Sequence, residues 1–230
     1  LEPSSVAEAK EMVDRAFDLS EKLGEPVLLR TTTRINHSTG IVSLGEVQPP
    51  QTRGDFTKDP FNFVCVPAVS RKLHVRLLEN MDRAEALAAA SEFNFVEGDG
   101  AWGILCNGVS YSYVTDAVQD LGIGDRTRVL RLGFSHPMPG SLIKDFLKAC
   151  DKVLVVEEGE PCMEEAVKAF AQEAGLTLPI RGKDKDLFSR LYEFDPALVR
   201  GAMARFFEVP YSPPVTPDLS DLPELPQRPP

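Results

Sequence analysis

The run Val153-Leu154-Val155-Val156-Glu157-Glu158-Gly159-Glu160-Pro161 decides the fold. Four consecutive aliphatic residues without polar alternation describe a strand covered on both faces, the habit of a parallel sheet. Pro161 then opens a helix, a position where its missing N–H costs nothing. That helix carries Met163, Ala166, Val167, Phe170, Ala171 and Ala174 on one face and ends at Gly175. A short strand over Leu176–Ile180 follows, and a last helix runs from Asp195-Pro196 to Phe207.

Upstream of the run the same alternation repeats. Ser141 is a candidate cap for a helix faced by Leu142, Ile143, Phe146, Leu147 and Cys150. Before it comes a strand at Val129-Leu130-Arg131-Leu132, then a helix with Val114, Ala117, Val118 and Leu121 stopped by Gly122. Phe95-Val96-Glu97 and Trp102–Cys106 flank Gly98-Asp99-Gly100, which reads as a hairpin turn. The pattern is β-β-α-β-α-β-α-β-α. It predicts a three-layer αβα sandwich, with a mostly parallel sheet and one antiparallel edge strand, over residues 94–208.

The rest of the chain is less regular. Ser5 and Glu8 have capping-box spacing, Val6 to Leu23 recurs at helical intervals, and Gly24 ends the helix. Val27 to Thr33 reads as a strand. One helix and one strand cannot bury themselves, so residues 1–46 are expected to be the tail of an incomplete domain. Residues 47–93 read as a loop, with Pro49-Pro50, Thr52-Arg53-Gly54 and Asp59-Pro60, followed by a linker helix from Ser70. Residues 209–230 hold eight prolines and read as a linker or tail.

Composition narrows the function classes. The chain has 230 residues, 43% of them hydrophobic, and a formal net charge of -10. That charge disfavours nucleic acid and anionic membranes, and no apolar run approaches the roughly 20 residues of a membrane helix. The four cysteines, Cys65, Cys106, Cys150 and Cys162, form no C-x-x-C. They read as free thiols in a reducing cytoplasm, without a zinc or iron–sulfur site of their own.

The motifs that could carry chemistry are incomplete. Gly98-Asp99-Gly100 has the form of a Mg²⁺-holding segment but lacks a partner asparagine downstream, where Gly124-Asp125-Arg126-Thr127 stands. Gly108-Val109-Ser110-Tyr111-Ser112 starts like a nucleophile elbow without its closing glycine. His37, His74 and His136 offer that serine no evident base. Gly108 and Ser110 remain a candidate anion-binding turn between strand and helix. Gly122-Ile123-Gly124 follows a helix and is no dinucleotide fingerprint. Glu157, Glu158 and Glu160 are better placed to stabilise a helix N-terminus than to do acid–base work. Arg34 and His37, after the strand of the first segment, are candidates for lying beside a substrate carboxylate or a subunit interface. No residue is assigned to catalysis or to a metal.

Several of these stretches, taken in order, resemble a known family. Pro26 to Ser38, Gly108-Val109-Ser110-Tyr111, Leu132-Gly133-Phe134-Ser135, Val155 to Pro161 and Pro226-Gln227-Arg228-Pro229-Pro230 look like segments of the indolepyruvate:ferredoxin oxidoreductase alpha subunit. The resemblance implies oxidative decarboxylation of aryl pyruvates to acyl-CoA with reduction of ferredoxin. It implies thiamine diphosphate, Mg²⁺ and [4Fe-4S] clusters in the full-length subunit, and none of these in this central fragment. It implies a transketolase C-terminal-domain-like fold for residues 94–208. The implied partners are the remaining domains of the alpha subunit, a beta subunit and ferredoxin. The alternative is a subunit-docking module of another 2-oxoacid oxidoreductase or transketolase-like enzyme.

Overall fold

The computed structural model describes residues 1–46 and 57–213. The prolines and glycine expected to form loops at 49–54, and most of the 209–230 tail, lie outside the described residues.

Five strands form one sheet in the order β1-β3-β2-β4-β5. They are β1 Asn94–Glu97, β2 Trp102–Asn107, β3 Thr127–Leu132, β4 Lys152–Val156 and β5 Ile180–Arg181. All neighbours are parallel except β1 and β3. Helices cover both faces: α5 (Ser110–Asp120) and α8 (Pro196–Phe207) on one, α6 (Gly140–Lys148) and α7 (Cys162–Glu173) on the other. Strand alternation divides the core accordingly. Ile104, Cys106, Leu154 and Val156 face α5 and α8. Leu105, Leu130, Val153 and Val155 face α6 and α7. The predicted sandwich, with one antiparallel edge strand, is therefore the observed fold.

The hairpin is not. β1 pairs with β3, register Asn94↔Leu132, and never with β2. Both edges of β2 are taken by its parallel neighbours β3 and β4, which leaves no edge for β1. Gly98-Asp99-Gly100 instead crosses the start of β3. A Cβ at Gly98 would stand 2.5 Å from the Thr127 carbonyl oxygen, and one at Gly100 would overlap Arg126. Both glycines are needed for that close approach, and Gly98 also has φ +76°.

Three smaller expectations change. Ser141 lies inside α6, and its neighbour Gly140 donates its N–H to Glu85 (3.2 Å). Pro161 is the N-cap residue of α7 rather than its first helical residue. The 176–180 strand reduces to the two residues of β5, because only Ile180 and Arg181 reach the ladder with β4.

The first segment holds α1 (Val6–Leu23), capped by Ser5 accepting the Glu8 N–H and closed by left-handed Gly24. Residues 27–31 are extended but form no strand. Their pairing is with Leu1 alone: the Leu1 amine donates to the Leu28 carbonyl and the Arg30 N–H to the Leu1 carbonyl, both at 2.8 Å. Thr32 turns the chain instead, capping α2 (Thr33–Asn36). Next among the described residues come α3 (Pro60–Phe63) and the long α4 (Pro67–Ala89). Leu1, Met12, Ala88, Phe93 and Phe134 form a third apolar cluster that ties α1 and α4 to the end of β3.

Candidate functional site

In a sheet of this order the chain leaves β2 toward β3 on one side and then crosses to β4 on the other. Such a reversal opens a crevice at the C-terminal ends of β2 and β4, the usual ligand position of an open α/β sheet. Two segments end there: Asn107–Ser110 after β2 and Glu157–Pro161 after β4.

The first segment is covered. Gly108 and Ser110 are both buried, and Gly108 turns the chain with φ +49°. Residues 2–4 lie over them: Glu2 Oε2 and the Pro3 carbonyl oxygen are each 3.8 Å from where a Gly108 Cβ would stand. Ser112 donates its hydroxyl to the Ser4 carbonyl at 3.5 Å. The Glu2 carboxylate lies beside this turn and takes its hydrogen bonds from other side chains. Its Oε2 accepts from Arg30 Nη1 (2.6 Å) and Asn107 Nδ2 (3.0 Å), and its Oε1 accepts from the Ser135 hydroxyl (2.6 Å).

Arg34 lies close by, its guanidinium 5.8 Å from the ring centroid of Tyr113 in α5. The structure therefore brings Arg34 to the helix that follows the Gly108–Ser110 turn. His37 is the exposed C-cap of α2, donating its N–H to the Thr33 carbonyl. It joins neither group.

The acidic run after β4 is used in fastening. The Glu157 carboxylate accepts the N–H groups of Met163 and Glu164, both at 2.8 Å, and so caps α7. Burial pushes its carboxyl above the usual range, while those two N–H bonds pull the other way. Glu158 accepts the Phe194 N–H at 2.9 Å, and Glu160 pairs with Arg190. Glu164 holds Lys168 Nζ and the Lys183 N–H, each at 2.6 Å. Carboxylates engaged in this way fasten the loop after β4 and the start of α7.

A cleft of about 320 Å³ opens between α1, residues 25–30, α4 and residues 134–137. Its floor is apolar, with Leu19, Leu23, Met81 and Phe134. The two carboxylates at its rim are both engaged, Glu2 as above and Glu25 with the Asn80 amide (2.9 Å).

The residues of Gly98-Asp99-Gly100 do not fit a Mg²⁺ ligand set. The Asp99 and Gly100 carbonyls accept from Arg128 Nη2 (2.9 Å) and Nε (3.3 Å), so a cation there would meet a guanidinium. Among the described residues no group of three or more His, Cys, Asp and Glu is placed to hold a metal.

The sequence reading missed Arg131. It is 1% exposed, yet its Nη2 meets Glu8 Oε2 at 2.5 Å and its Nη1 donates to the Phe93 carbonyl at 3.0 Å. It joins β3 to α1. The signal was present: a charge inside an apolar strand covered on both faces needs a partner. Nothing marked Glu8 as that partner beyond its capping position.

No protein-family model matches the chain. The chain is similar to the indolepyruvate oxidoreductase subunit IorA of Methanothermobacter thermautotrophicus, with 40% identity over 233 residues, covering 100% of this chain and 37% of that protein. It is 44% identical to the subunit IorA of Pyrococcus abyssi over 214 residues, 90% of this chain and 32% of that protein. For Archaeoglobus fulgidus the identity is 39% over 207 residues, 89% and 32%. The chain thus spans about a third of the length of the curated relatives it matches. Among solved structures, a 2-oxoglutarate:ferredoxin oxidoreductase from Magnetococcus marinus superposes with a TM-score of 0.43 at 19% identity, over 63% of this chain and 24% of that one. At that similarity it carries no weight here.

Proposed function

Because this chain belongs to the indolepyruvate oxidoreductase IorA family, as a stretch about a third of its members' length, we propose that it is the spacer section of such a subunit. In this reading residues 94–208 are a transketolase C-terminal-like domain, and residues 1–46 are the tail of a domain that lies mostly outside the chain. The parent enzyme oxidatively decarboxylates aryl pyruvates to acyl-CoA and reduces ferredoxin. It works in the cytoplasm with a beta subunit, and thiamine diphosphate, Mg²⁺ and [4Fe-4S] clusters are held by other sections. Among the described residues no helix is long and apolar enough to cross a membrane, which is compatible with that location.

The observation that carries the spacer role is the use made of Gly98-Asp99-Gly100. The one segment with the form of a cofactor-metal motif is consumed in a chain crossing, with Arg128 on its carbonyls. The family's activity, on this view, is supported by this section and performed elsewhere. Calorimetry of the chain with thiamine diphosphate and Mg²⁺ tests it. No heat of binding is expected; micromolar, Mg²⁺-dependent binding would overturn the reading.

A further inference from the structure

We draw no further inference here: the strongest candidate, the apolar-floored cleft between α1, residues 25–30, α4 and residues 134–137, carries nothing, because nothing in the structure shows what covers it.

Discussion

Residues 94–208 and the segments before them solve the problem of burial differently. In the sheet unit β2, β3 and β4 each put side chains into both core clusters, which are made almost wholly from within it. Among the described residues the earlier segments have no sheet of their own. They bury one face against the end of β3 and leave the other open. Twelve of the fifteen exposed large hydrophobic side chains among the described residues lie before residue 79. A fold that completes its own core can show a polar exterior, whereas segments that borrow a core keep an apolar surface for another partner.

The sharpest way to break the comparison is inside the sheet. Leu154 is fully buried in β4. Leu154→Ala should lower unfolding free energy by about 2–5 kcal/mol, read by urea denaturation, and both regions should unfold together. If the first segment unfolded separately, the borrowed-core description would fail.

The joint between the regions comes next. Glu8→Ala leaves Arg131, 1% exposed, without its carboxylate partner. A loss of about 3 kcal/mol is expected, with earlier protease cleavage in α1 than in β4. The double variant E8A/R131M should recover part of that loss, since it removes the stranded charge as well. A double variant no better than E8A would show that packing, not the ion pair, fastens α1.

Within the sheet unit, Glu157 links stability to pH. Its folded-state pKa is raised, chiefly by burial, so the native state binds its proton more tightly than the unfolded chain does. Its contribution is full below the ordinary carboxylate pKa and is lost as pH rises through the raised value. Glu157→Gln should flatten this part of the stability profile above the ordinary carboxylate range. Its amide also replaces only part of the cap on α7. An unchanged slope would mean that the two N–H bonds offset the burial.

How much of this was legible in the sequence differs between the two regions for the same reason. The sheet unit announces itself because periodicity is local: Val153–Val156 and the faces of α6 and α7 are readable from their own residues. The pairing of β1 was not readable, since Gly98-Asp99-Gly100 has hairpin composition and only the occupied edges of β2 exclude a hairpin. Residues 27–33 carry strand composition, but a strand exists only with a ladder partner, and theirs is limited to Leu1. The candidate site was legible as a turn, Gly108 and Ser110, and as the nearby Arg34. Glu2, whose carboxylate lies beside the turn, comes more than a hundred residues earlier and carries no local mark.

The mildest probe compares the regions by their thiols. Burial pushes the Cys106 thiol in β2 up to about 12 and that of Cys150 up to about 11. Cys65 lies between α3 and α4 and is exposed, as is Cys162 at the start of α7. Thiolate is the reactive form, so a raised pKa and lost access act together. Iodoacetamide at neutral pH should therefore label Cys65 and Cys162 first, Cys150 slowly, and Cys106 only on unfolding. Labelling of Cys106 in the folded chain at a rate near that of Cys162 would break the contrast.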